Sequence, residues 1–221
     1  MMMTLRNRII GTTIGLLMIL SVGHAQSKWE LGIRFIPQST TFRYNQGIGP
    51  LYDFLKVTAP YYSRIRTAQG VGVTYNYLPH LHLGADLLYS LQGGGYEHRK
   101  TNLNYLKLPL WIGYNSSTKR KLIFTVQSGI ELSYLLRAKM KYDDGQNEDI
   151  RRYVKKASGG IPIAMGAKFK VLHSYFVHTQ LYLYTDWNSI SKTNSVFGVY
   201  NYVYPGFRIS IDQNLDNFKR K

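Results

Sequence analysis

The sequence predicts an all-β protein that folds as an eight-stranded antiparallel up-and-down β-barrel, and three features lead to that class. Apolar side chains recur at every second position in eight segments, which is the period of a β-strand. The connections between these segments alternate between short and long. The chain also opens with a segment typical of exported proteins. Together these features favour a transmembrane barrel, which crosses a bilayer with strands.

The composition fits one folded domain with an unusual surface. The chain has 221 residues, of which 44% are apolar, so intrinsic disorder is excluded. Its 28 Lys and Arg outnumber 12 Asp and Glu, giving a net charge of +16 that suits anionic partners. With no cysteine, disulfides, thiol catalysis, cysteine-based metal sites and a lipid-anchored cysteine are all excluded. The 19 tyrosines indicate a surface that requires amphipathic aromatic side chains.

Residues 1–25 read as a secretory signal peptide. Arg6 and Arg8 precede the apolar run 9–22, and Ala25 completes a small-residue cleavage site before Gln26. A transmembrane anchor is the alternative, but a run of about 14 apolar residues is shorter than the roughly 20 that a spanning helix needs. The predicted division is therefore a signal peptide over 1–25, a barrel over 26–211 and a polar C-terminal tail over 212–221.

Two segments show the strand pattern most clearly. Every odd position from Leu81 to Leu91 is apolar, and every even position from Leu122 to Leu136 is apolar except Ser128. Weaker alternation marks the other segments. The eight predicted strands are 29–36, 63–77, 81–92, 104–114, 122–137, 161–171, 175–187 and 199–211.

The connections between these strands define two ends of the barrel. Short turns are predicted near 78–80, 115–120 and 172–174, and long loops over 39–60, 93–102, 139–158 and 188–195. Outer-membrane barrels have this asymmetry, with short periplasmic turns and long outer loops. A soluble barrel of the lipocalin type would instead turn its apolar face inward. Glycines and charges share the more polar face, and a small interior has room for them, so we predict that the polar face lines the lumen.

Two local features are expected to modify this plan. Pro109, Pro162 and Pro205 fall inside predicted strands, where each removes a ladder donor, so each is expected to mark a bulge or a register shift. Residues 50–57 in the first long loop have apolar side chains at helical spacing, which predicts one short amphipathic turn at the rim.

Charged residues on the polar face predict an ion-pair network inside the barrel, because an isolated buried charge is very unfavourable. We expect it to centre on Glu131 and Lys107, with Arg34 or Arg208 completing the cluster. A structural network and a gated polar channel both fit this set. The predicted lumen network comprises Glu30, Arg34, Asp86, Lys107, Glu131 and Arg208, and Arg137, Lys168 and Asp186 are also predicted to face inward.

Aromatic residues near the strand ends predict two girdles at the membrane–water interfaces, where rings with polar tips are favoured. The predicted interface aromatics are Trp29, Tyr75, Tyr77, Tyr114 and Tyr175 at the periplasmic end, and Tyr134 and Trp187 toward the outer end.

The run Asn104–Leu110, NYLKLPL, resembles the Tyr-Leu-Glu-hydrophobic-Pro-Leu signature in the fourth strand of PorT-like outer-membrane β-barrel domains. The resemblance covers roughly residues 28–211. It departs from the family pattern at Lys107, where an acidic residue is usual, and in the tail after the last strand. The resemblance implies an eight-stranded outer-membrane barrel, and some members of the family are linked to protein secretion across the outer membrane.

No enzymatic role and no cofactor are predicted. Ser90, Glu97 and His98 near the outer rim form the best catalytic candidate, but they match no motif, and a triad is recognised by geometry. His80 and His82 lack a third metal ligand at a telling spacing. Nucleic-acid binding has only the net charge in its favour.

We therefore expect a non-catalytic protein of the cell outer membrane, structural or accessory and associated with secretion. A small ligand-binding or channel-forming barrel is the alternative. The expected partners are outer-membrane lipid, lipopolysaccharide phosphates near the third long loop and a protein of a secretion machinery.

Overall fold

A computed structural model shows a closed, eight-stranded antiparallel β-barrel, which confirms the predicted fold class. The structure describes residues 29–45, 61–96, 98–116, 121–172, 174–192 and 198–215. The predicted signal peptide and the predicted turn at 50–57 lie outside these residues. No helix among the described residues is long and apolar enough to cross a membrane.

Eight long strands form the wall, and two short strands extend it at the outer end. The strands are β1 (Trp29–Asn45), β2 (Tyr61–Asn76), β3 (Leu81–Gln92), β4 (Gly94–Tyr96), β5 (Arg99–Asn115), β6 (Leu122–Tyr142), β7 (Asn147–Asp149), β8 (Ala157–Leu172), β9 (Tyr175–Asp186) and β10 (Gly198–Asn214). Each long strand pairs with its neighbours in sequence, and β1 pairs with β10 to close the barrel. β4 pairs with β2 and β5, and β7 pairs with β6.

The apolar face of each strand points outward. Ile33 is 60% exposed and Phe124 is 63% exposed, whereas the alternating Arg34 and Thr125 are buried. A soluble ligand carrier would show the opposite arrangement, so the structure assigns the apolar wall to lipid.

The strands β1, β5 and β6 extend well beyond their predicted outer ends. The last strand continues to Asn214, so the first residues of the predicted tail belong to the barrel. Of the three strand prolines, only Pro205 lies at a register shift, between Val203 and Gly206. Pro109 and Pro162 pair in regular register, so the expectation of a shift is wrong for these two.

A bulge in β6 changes which side chains face inward. Asn104 pairs with Arg137 while the next residue, Tyr105, pairs with Leu135, so Leu136 is the extra residue. Beyond it Ala138 is buried and Arg137 is exposed. The prediction that Arg137 faces the lumen is therefore wrong, because the bulge shifts the alternation by one residue.

Candidate functional site

Buried ion pairs and hydrogen bonds fill the barrel interior at successive depths. Nearest the short turns, the ammonium group of Lys168 lies 2.6 Å from one carboxylate oxygen of Glu30 and 2.8 Å from the other. Asn76 also donates to Glu30, at 3.1 Å. The cavity beside them has a volume of about 10 Å³, enough for about one water molecule.

Asp86 is the hub of the middle level. Its carboxylate accepts hydrogen bonds from Arg34 at 2.9 Å, Arg208 at 3.0 Å and the indole of Trp111 at 2.8 Å. Arg34 also donates to Asp212 at 2.5 Å. One guanidinium group thus joins carboxylates from β3 and β10, and its charge is neutralised from both sides.

Two glycines make room for this cluster. A side-chain Cβ at Gly72 would collide with the Asp86 carboxylate and approach the Arg34 guanidinium. At Gly32 it would collide with Asp212 and lie 2.7 Å from Arg34. These two glycines therefore allow the charged side chains to pack closely.

Glu131 organises the level above. It is 0% exposed, and its carboxylate lies 2.5 Å from the Lys107 ammonium group and 3.1 Å from the hydroxyl of Tyr182. The same ammonium group lies 3.7 Å from the centre of the Tyr184 ring. Still nearer the mouth, Tyr184 and Asn201 donate to Asp186.

The structure places all six residues of the predicted lumen network in the interior. Lys107 and Glu131 form a pair, but Arg34 and Arg208 join Asp86, so they do not complete a cluster around Glu131. Sequence analysis missed Asp212, which is 0% exposed, because the predicted strand ended one residue earlier. The alternation of Ile209, Ile211 and the intervening polar residues was the signal that could have placed it inside.

The lumen charges nearly cancel among the described residues. Four buried cations, Arg34, Lys107, Lys168 and Arg208, face five buried acids, Glu30, Asp86, Glu131, Asp186 and Asp212. The large positive charge of the chain is therefore carried outside this network.

Apolar side chains form a cap at the outer end of the lumen. Ile150 and Val154 from the third outer loop and Ile190 from the fourth pack against Phe42 and Leu103 of the wall. The same side chains line a cavity of about 340 Å³. Its lining comprises Phe42, Arg99, Thr101, Leu103, Met140, Ile150, Tyr153, Val154, Ile190, Ser191 and Val199.

The predicted interface aromatics lie on the wall near the two ends. Trp29 packs on Tyr75 with ring centres 4.7 Å apart, and Tyr75 lies 6.4 Å from Tyr77. Tyr114 stacks on His80 near the short turns. Tyr175 is 39% exposed at the same end, while Tyr134 and Trp187 are about half exposed toward the outer end.

Of the candidate catalytic residues, Ser90 and His98 do not meet. Ser90 is buried in the lumen, where Gln38 donates to it, and His98 lies in an exposed outer turn beside Asp143. Glu97 lies outside the described residues. Among the described residues no group of three or more potential ligand side chains could hold a metal ion.

A closed barrel with an apolar outer wall and a polar, filled interior defines a transmembrane β-barrel of the outer-membrane class. The chain belongs to the outer membrane protein beta-barrel domain family, whose model matches residues 24–192.

Solved structures support the fold. Neisserial surface protein A (NspA) is similar with a TM-score of 0.52 at 11% identity, covering 85% of this chain and 97% of that one. OprG from Pseudomonas aeruginosa is similar with a TM-score of 0.51 at 12% identity, covering 86% of this chain and 97% of that one. No curated protein sequence matches significantly.

Proposed function

We propose that this protein is a non-conducting, non-catalytic outer-membrane barrel that acts as an accessory to protein secretion across the outer membrane. The observation that carries the proposal is the filled lumen. Ion pairs occupy its lower and middle levels, and an apolar cap lies at its outer end. A conducting pore needs a continuous polar path, and the buried ion pairs and the apolar cap are arguments against one.

The assignment to secretion rests on the PorT-like resemblance of the run 104–110. Within that run the side chain of Tyr105 is fully buried, and its hydroxyl accepts a hydrogen bond from Asn201 at 3.3 Å. Lys107 binds Glu131. The motif therefore supplies parts of the plug.

Export and topology belong to the same proposal. We expect signal-peptide cleavage after Ala25, so N-terminal sequencing of the membrane-extracted protein should begin at Gln26. Because the chain has no cysteine, single cysteines give clean topology probes. A membrane-impermeant maleimide should label Asp144→Cys on intact cells and spare Leu78→Cys, and equal labelling would contradict the orientation.

Two measurements test the function itself. Purified protein in planar bilayers should produce no stepwise conductance, and regular openings of the wild-type barrel would refute the plug. A deletion strain should release less of its secreted protein than the complemented strain. An unchanged set of extracellular proteins would refute the secretion role while leaving the plug intact.

The outer cavity favours a second candidate, a small-ligand-binding barrel. Its volume of about 340 Å³ and mainly apolar lining, with Arg99, Thr101 and Ser191 among its polar residues, are typical of a small-molecule site. Leu103→Trp would fill this space. If the cavity binds ligands, native mass spectrometry of protein extracted from cells should show a bound mass that this variant lacks.

A further inference from the structure

Basic side chains lie in a row on the lipid-facing wall at the outer end of the barrel. Beyond the β6 bulge, Arg137, Lys139 and Lys141 occupy alternate positions on the side opposite buried Ala138. Arg137 is paired across the sheet with Asn104, which is paired in turn with Leu91. Since Leu91 belongs to the apolar outer face of β3, this row faces away from the lumen.

The row borders a cavity of about 310 Å³ that combines positive charge with amide groups. The residues that line it are Arg66, Leu91, Gln92, Asn102, Asn104, Arg137, Lys139 and Asn147. Arg64 and Arg66 both donate to the same side-chain oxygen of Asn102, Arg64 at 2.9 Å. Two guanidinium groups thus share one neutral acceptor.

The basic groups in and beside this cavity form no direct ion pair with the part of the chain that the structure describes. Within it, Arg64, Arg66, Arg137 and Lys139 lack such a pair, whereas neighbouring basic residues at the outer end have one. Asp149, which is paired with Lys139 across the sheet, is engaged by Arg151 at 2.6 Å. Clustered cations that outnumber the nearby acids and form no direct ion pair favour a bound anion.

The depth of the cavity identifies the source of that anion. Immediately below it, Asn104 donates to the hydroxyl of Tyr89 at 2.6 Å, and Tyr134 lies on the same face two strands away. Aromatic rings of this kind mark the level of lipid headgroups. Exposed Leu106, Leu108 and Leu132 continue the wall toward the bilayer centre.

We propose that this cavity binds a phosphate group of an outer-leaflet glycolipid, the phosphate of lipid A. Arg66 and Arg137 supply planar guanidinium groups suited to phosphate oxygens, Lys139 adds charge, and Asn102 and Asn104 add amide groups. The acyl chains of the same lipid then cover the leucines below. The sequence predicted contact between lipopolysaccharide phosphates and the third long loop. The proposed site does not include Arg151 and Arg152 of that loop, because both are already paired with acids.

The test compares two double variants that remove equal charge. Arg137→Gln with Lys139→Gln alters the cavity, and Lys155→Gln with Lys156→Gln is the matched control in the third outer loop. Refolded barrels in detergent micelles are titrated with diphosphoryl lipid A, dephosphorylated lipid A and inorganic phosphate. Slower migration of the heated form on SDS gels verifies that each variant is folded, and Arg66→Gln provides a second, milder change.

We expect the cavity double variant to bind diphosphoryl lipid A about 25-fold more weakly, since a basic residue near an anionic membrane surface contributes about fivefold. Arg66→Gln should bind diphosphoryl lipid A about fivefold more weakly than wild type. The affinity of the control double variant should stay within about twofold of wild type. Wild type should bind dephosphorylated lipid A weakly.

Three outcomes would overturn the proposal. Equal losses of lipid A affinity in the two double variants would show that overall charge, and not this cavity, determines binding. Equal affinity of the wild type for phosphorylated and dephosphorylated lipid A would show that the phosphate group is not recognised. Binding of inorganic phosphate that depends on Arg137 and Lys139, without such dependence for lipid A, would assign the site to a soluble anion.

Discussion

Replacing Glu131 with alanine tests whether the lumen is dry. The change leaves the Lys107 ammonium group buried without its carboxylate and removes the acceptor of the Tyr182 hydroxyl. Removing one partner of a buried pair destabilises a protein by about 3 to 5 kcal/mol. Lys107 would keep its contact with the Tyr184 ring, and cation–π contacts in desolvated sites contribute about 2 kcal/mol. We therefore expect Glu131→Ala to lower the free energy of unfolding by an amount near the lower end of this range, about 3 kcal/mol.

The assay is reversible urea unfolding of the barrel in lipid vesicles, followed by tryptophan fluorescence. Glu148→Ala is the matched control, because this carboxylate lies in the short outer strand β7, where it is 41% exposed, 3.8 Å from Arg152 and 3.0 Å from the hydroxyl of Tyr142. It should change the free energy of unfolding by less than about 1 kcal/mol. The double variant Lys107→Met with Glu131→Leu should lose less unfolding free energy than Glu131→Ala alone, because neither member of the pair is then left buried as an unpaired charge. A Glu131→Ala effect as small as that of the control would refute a dry network.

Two further predictions concern packing and pH. Gly72→Ala should abolish refolding, because the added carbon collides with the Asp86 carboxylate, whereas Gly84→Ala should refold because its nearest neighbour is 3.4 Å away. Gel mobility of the folded form checks this pair, and equal refolding yields would contradict the packing argument. Outside the membrane, a hydrogen bond from His98, reinforced by Lys100, holds the pKa of Asp143 below its ordinary value of 3.8. Because the pKa of Asp143 is lowered in the folded protein, this contact stabilises the outer loop at pH values above the ordinary pKa. The stabilisation is lost as the pH falls through the lowered pKa. Carbon-detected NMR titration should show the pKa of Asp143 rising in His98→Ala, and an unchanged value would refute the contact.

The strands could be predicted from sequence because lipid imposes one rule on every residue of the wall. Leu81–Leu91 and Leu122–Leu136 show apolar groups at each second position where they face hydrocarbon, with Ser128 as the exception. Beyond the bilayer that rule ends, so the outer extensions of β1, β5 and β6 carry no equivalent signal. The inward loop residues Ile150 and Ile190 were missed for the same reason, since short loop segments have no period to reveal a buried side.

The composition of the lumen could also be predicted, but its pairing could not. Charge on the polar face identified Asp86, Arg34 and Arg208 as interior residues. Which carboxylate each arginine meets depends on the register between strands that are distant in sequence, and a single sequence does not encode register in a readable form. Lys107 and Glu131 could be matched because β5 and β6 are consecutive strands. Arg137 was misplaced because one extra residue in β6 has no sequence signature.

The two carboxylates held by Arg34 have a consequence for how the barrel is built. Asp86 comes from β3 and Asp212 from the end of β10, so Arg34 acquires its second partner only when the last strand closes against the first. A chain that lacks its final residues would hold a guanidinium group with half of its compensation inside a bilayer, where uncompensated charge is unfavourable. Completion of the barrel and neutralisation of its interior are thus one event, and truncated or misclosed barrels carry an electrostatic defect that the finished molecule does not.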